Sequence, residues 1–119
     1  MQEERLPSWV WADALIRRAQ SAGASCFVVQ KGDAERGDVL VKVADLKGGA
    51  RAYVPRMSME GARIFVDVRL QGIGGSEAEV DDYVTRTRQR DPDLWVLEIE
   101  DRDARHFLTE PVEAPEEGA

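Results

Sequence analysis

Apolar residues repeat along this chain with two different periods, and the order in which those periods alternate restricts the fold more than any other feature. Pro7 suits a first helical turn, and Trp11, Ala14, Leu15, Ala19 and Ala22 then follow helical spacing until Gly23 stops the run. Residues 25–30 are apolar and rich in Val. A polar loop with glycine near each end, residues 31–37, separates them from a second strand at 39–46. Lys47-Gly48-Gly49 turns the chain into residues 50–54, where Pro55 ends the strand or marks it as an edge. From Arg63 to Leu70 the alternation is clean. Ile64, Val66, Val68 and Leu70 form the face expected to be buried, and Arg63, Phe65, Asp67 and Arg69 the one expected to be wet. Ser76 and Glu79 form a capping box for a second helix with Val80, Tyr83, Val84 and Thr87 inward, which Pro92 stops near Arg90. Residues 94–99 make the last strong strand. The order α-β-β-β-β-α-β predicts an α+β fold: a mostly antiparallel sheet of four or five strands with two helices packed on one face.

The 119 residues suffice for one core, so a single domain is expected over residues 1–108. Residues 109–119 are expected to be a disordered acidic tail, because they hold two prolines, four glutamates and no aromatic residue. Charge is unevenly placed. The net −7 comes almost wholly from residue 98 onward, where eight acids face Arg102 and Arg105; the first 97 residues hold 15 acids and 14 bases. A near-neutral body has no basic excess for phosphate, which argues against nucleic acid as a partner. No stretch approaches the ~20 apolar residues of a membrane span. Glu3 and Glu4 precede any apolar run, the reverse of a signal peptide, so a cytoplasmic protein without membrane contact is expected.

Side chains that carry catalysis are scarce. Cys26, the sole cysteine, lies in an apolar run and reads as core. His106, the sole histidine, has no second histidine with which to build a metal site. The glycine loop before Ser76 is ringed by Glu77, Glu79, Asp81 and Asp82, which repel phosphate. An order of helix, three strands and helix is also that of double-stranded RNA-binding domains. Those domains need basic residues where this chain has the same four acids.

Three segments, residues 9–18 (WVWADALIRR), 37–43 (GDVLVKV) and 91–101 (DPDLWVLEIED), together resemble an uncharacterised family of short alphaproteobacterial proteins known as a domain of unknown function. The likeness runs over residues 6–102, and its most specific part is the last segment. The resemblance implies a single-domain protein from that group and brings with it no activity, cofactor or catalytic residue.

Two functional readings follow. The first is a non-enzymatic binding or adaptor module that presents Trp9, Val10, Arg17 and Arg18 to a protein partner or to its own copy, with no cofactor, no metal and no catalytic residue. The alternative is a small carboxylate-dependent metal-binding enzyme that uses Asp67, Glu98 and Glu100.

Overall fold

The computed structural model describes residues 5–116. Its elements in chain order are α1 (Ser8–Ser21), β1 (Ser25–Gln30), β2 (Val39–Ala44), β3 (Ala50–Met57), β4 (Arg63–Asp67), a 3-10 turn (Val68–Gln71), α2 (Glu77–Arg90), β5 (Trp95–Glu100) and β6 (Val112–Glu113). The two helices lie where periodicity places them, and their ends have the chemistry expected. Gly23, with φ of 91°, closes α1, because its N–H reaches the Gln20 carbonyl and that of Ala24 reaches Ala19. At α2, the Ser76 hydroxyl accepts from the Glu79 N–H at 3.2 Å and donates to the Glu79 carboxylate at 3.1 Å.

The sheet departs from expectation. It has six strands in the order β1-β5-β2-β3-β4-β6 and is mixed, because β5 enters parallel to β2 and β6 parallel to β4. β5 takes a central position because both its faces are apolar. Trp95, Leu97 and Ile99 lie on one face, with Val96 on the other and Leu94 packed on that side just before the strand. β2 is buried along its whole length, as its nearly unbroken apolar run requires of a strand covered on both faces. The loop before β2 is clamped onto the turn before β5. Any Cβ at Gly32 or Gly37 would collide with the Asp93 carbonyl, and the Trp95 indole N–H donates to the Asp33 carbonyl at 2.7 Å.

The helices pack on opposite faces, not on one. Trp11, Ala12, Leu15 and Ala19 of α1 meet Val39, Val41, Val43, Tyr53, Phe65 and the odd-numbered residues of β5. Val80 and Val84 of α2 meet Leu40, Ala50, Ala52, Val68, Leu94 and Val96. Alternate residues of β2 therefore feed two separate cores, which gives three layers. For the same reason the face of β4 expected to be wet is buried, with Phe65 and Asp67 fully enclosed. The strand is also shorter than predicted. The Asp67 carboxylate accepts from the Arg69 N–H at 2.9 Å and starts the 3-10 turn, leaving Leu70 exposed.

The chain end also differs. Where composition predicted disorder, residues 110–113 lie along β4: Val112 pairs with Phe65 and Glu113 with Val66. The Phe65 N–H donates to the Pro111 carbonyl at 2.9 Å, and the Trp11 indole N–H donates to Glu110 at 2.6 Å. The prolines and acids that read as solvated tail are compatible with a short edge strand, since an edge needs few donors and tolerates charge. Residues 117–119 of the expected tail lie outside the described residues. Truncation after Thr109 removes a half-buried Val112 and a charged hydrogen bond, together about 2 kcal/mol. Thermal unfolding should show a fall in Tm of ~5–10 °C; an unchanged Tm would mean that the segment contributes nothing to the fold.

Candidate interaction surface

The helix-one residues divide into two groups. At 100° per residue, Val10 and Arg17 share a side of α1, Trp9 lies next to them and Arg18 points away from Trp9. Trp9 is 51% exposed. Arg17 is exposed and pairs with Asp13 one turn earlier at 2.9 Å. Arg18 serves the fold instead, because its Nε donates to the Phe107 carbonyl at 3.0 Å and pins the 101–109 segment to the helix. Val10 and Arg17 thus share one side of the helix, with Trp9 and Arg18 flanking it on opposite sides and Arg18 engaged by the fold.

Sequence reasoning missed the apolar margin beside them. Residues 25–30 read as core, yet Cys26 is the only buried residue of β1. Phe27, Val28 and Val29 are 43%, 41% and 39% exposed. β1 is an edge strand, bonded to β5 alone, and the register shifts between Val28 and Gln30, which leaves Val29 in a bulge. Gln20 reaches from α1 to the Cys26 carbonyl at 3.4 Å, and Arg88 reaches from α2 to Gln30 at 2.7 Å, so the strand is held from both layers. Edge and central strands have the same apolar composition in the sequence, and only the insertion of β5 separates them. Burial pushes the Cys26 thiol up to about 11, so it stays protonated and unreactive at neutral pH.

The carboxylates of the alternative reading are not brought together. Asp67 lies opposite Tyr53, which packs on the α1 side, whereas Glu98 lies opposite Lys42 on the α2 side. The two positions are three strand spacings apart, about 14 Å, and point to opposite faces. Glu98 and Glu100 do share a face. Asp67 is gripped by Arg69, whose Nη2 lies 2.8 Å from it. Beside it, burial and then the field of Asp67 push the Tyr53 phenol up, while burial and then Arg51 push His106 down. The His106 ring sits edge-on to Tyr53, and its Nδ1 accepts from the Leu108 N–H at 2.9 Å, so the neutral ring carries its proton on Nε2. Among the described residues no group of three or more His, Cys, Asp or Glu side chains is arranged to hold a metal ion.

Sequence reasoning also missed Lys42. It is buried in the middle of β2, and its Nζ meets Asp81 at 2.7 Å, Glu77 at 2.8 Å and Glu98 at 3.3 Å. Burial alone would push this ammonium down, but hydrogen bonds to Asp81 and Glu77 and the field of Glu98 outweigh it and leave the group raised and charged. Of the four acids at the start of α2, Glu77 and Asp81 reach into the sheet. A lysine inside an otherwise apolar strand was the available signal.

The chain as a whole is similar to proteins of solved structure. The sequence profile described as "Protein of unknown function (DUF1491)" matches residues 6–109. The chain belongs to the DUF1491 family. A crystal structure of a DUF1491 family protein from Caulobacter crescentus superposes with a TM-score of 0.83 at 45% identity, covering 92% of this chain and 100% of that one. An NMR structure of a DUF1491 family protein from the same organism gives 0.81 at 46% identity, covering 93% and 99%. The solution structure of protein Atu0922 from Agrobacterium tumefaciens gives 0.74 at 29% identity, covering 92% and 98%. No curated protein matches the chain. The alphaproteobacterial resemblance drawn from three segments therefore holds over nearly the whole DUF1491 domain, and the family description adds no activity to it.

Two substitutions test the electrostatics. Lys42→Met leaves three carboxylates around an apolar tip and should cost about 2–4 kcal/mol in urea unfolding at pH 7. An unchanged urea midpoint would show that the ion cluster around Lys42 does not stabilise the fold. Asp101, buried at the end of β5, is held at about 2 by Arg105, whose side chain and N–H both donate to it against the opposing effect of burial. Because this folded value lies below the ordinary 3.8, the stabilisation is complete above about pH 4 and drains away as pH falls toward 2. Asp101→Asn should therefore flatten the stability profile between pH 4 and 2, as read by urea midpoints; a profile that keeps the wild-type slope would contradict this.

Proposed function

We propose that this domain is a non-enzymatic binding module of the bacterial cytoplasm that docks another protein chain along the margin formed by β1 and the first turn of α1. The observation that supports it is the run Phe27-Val28-Val29: three consecutive exposed apolar residues on an edge strand with no charge and no proline. Soluble proteins blunt free edges with Lys, Pro or a covering element, because an open ladder is a template for a foreign strand. A single bulge at Val29 is the only such device within this strand. At the far end of the same layer, Trp9 and Leu6 add exposed apolar surface of the kind that anchors interfaces.

The chemistry of the remaining surface agrees with binding. Two surface clefts, of about 320 and 360 Å³, are lined by Arg5, Pro7, Glu35 and Arg36 and by Gln30, Thr85, Arg88 and Gln89. Neither holds a nucleophile beside a base. Among the described residues no helix is long and apolar enough to cross a membrane.

A photo-crosslinking amino acid placed at position 9 or 28 of the protein expressed in bacteria should give discrete higher-mass adducts, and one at Gln89 should give none. Val28→Lys should abolish the adduct formed at position 9 while moving Tm by only a degree or two, since the site is exposed. Equal, diffuse labelling at all three positions would overturn the reading.

A further inference from the structure

The edge opposite β1 is already occupied by the chain's own end, and the way it is occupied identifies a ligand. Residues 110–113, Glu-Pro-Val-Glu, lie extended beside β4 and are recognised at each position. Glu110 accepts from the Trp11 indole at 2.6 Å, Pro111 accepts from the Phe65 N–H at 2.9 Å, Val112 packs on the α1-side core, and Glu113 meets Arg56 at 2.7 Å. Main-chain pairing supplies attachment and alternate side chains supply selectivity, which is how sheet edges bind extended peptides.

The segment fits without using everything the groove offers. Its ladder is two residue pairs long. The Arg56–Glu113 pair is 55% and 50% exposed, and a pair that wet contributes little. Arg63 is the decisive residue. Carrying the β6 register back two positions sets Arg63 level with Glu110. Its guanidinium lies 5.3 Å from the Trp11 ring centre and 5.2 Å from that of Phe65, yet its buried Nε and Nη2 have no hydrogen-bond partner among the described residues. A buried guanidinium with unmet donors is costly, and a carboxylate is its natural complement.

We infer that the outer edge of β4 is a recognition groove for an extended acidic segment of a partner protein, and that residues 110–113 occupy it in cis until a segment that also satisfies Arg63 displaces them. The occupant resembles the chain's own end in pattern, acid-proline-apolar-acid, with one further carboxylate at the Arg63 end. The tethered segment competes at an effective concentration on the order of millimolar, so a displacing segment must gain from Arg63 what it lacks in tethering. This inference concerns the edge opposite the β1 margin, and its failure would leave the β1 reading untouched.

The test uses the full chain. A labelled peptide spanning residues 109–116 should bind the double variant Glu110→Gln, Val112→Ser at least ~10-fold more tightly than it binds wild type, as expected for release of a tethered competitor. Amide shifts should centre on residues 63–66 and the Trp11 indole. The peptide extended to residue 108 and carrying Leu108→Asp, which lies on the Arg63 face of the strand, should bind several-fold more tightly again, and Arg63→Met should erase that gain. Should the double variant fail to fold, wild type titrated with the millimolar Leu108→Asp peptide must show the same shifts. Absence of binding to both chains, shifts centred away from β4, or equal binding of a peptide with Glu110 and Glu113 changed to lysine would overturn the inference.

Discussion

The parallel pairing of β2 with β5 at the middle of the sheet is the constraint from which the rest of the architecture follows. Six residue pairs, from Val39 with Trp95 to Ala44 with Glu100, join two strands that carry buried apolar residues on both faces. A strand of that kind cannot have one side in water, so a helix must cover each face. α1 and α2 do so, and the chain gains two cores of modest size in place of a single larger one. A parallel pair also needs a long crossover, and residues 45–94, with β3, β4 and α2, provide it. Once β5 is inserted, β1 is left bonded on one side only, and β3 and β4 extend the sheet the other way.

Both edges then become the chemically open parts of the molecule, and they are treated differently. The β4 edge is covered by the chain's own acidic residues 110–113, whereas β1 keeps Phe27, Val28 and Val29 in solvent. Between the edges, ions are held where burial would otherwise expel them. Lys42 is balanced by Asp81, Glu77 and Glu98, Asp67 by Arg69, and Asp101 by Arg105. Lys42 joins β2 to α2 and β5, and Asp67 joins β4 to the 3-10 turn, so charges that look like surface decoration in the sequence fix elements to one another. Their acids are committed to cations on the two faces of the sheet, which leaves Asp67 and Glu98 far from any shared ligand.

Much of this was legible in advance, and what was not has a physical cause. The helix boundaries were legible because Gly23, Ser76, Glu79 and Pro92 act through local backbone chemistry that needs no distant partner. The exposure of Trp9 was legible because it falls off the apolar stripe of its helix. The β1 margin was not, since Phe27 to Val29 have the composition of a core strand and their exposure depends on which strand ends up beside them. The fate of residues 110–113 was equally hidden, because composition reports solvation of a free chain and not the hydrogen bonds offered by Trp11 and Phe65.

By itself the sequence determined the number and kind of the main elements, the ends of both helices, the near-neutral charge of the body and the membership of its family, because these rest on short-range periodicity, capping and residue identity. Tertiary structure alone decided the strand order, the placement of the helices on opposite faces, the partners of Lys42 and the contrast between a covered edge and an open one. Those depend on contacts between residues tens of positions apart, and their energies exist only once the sheet has closed.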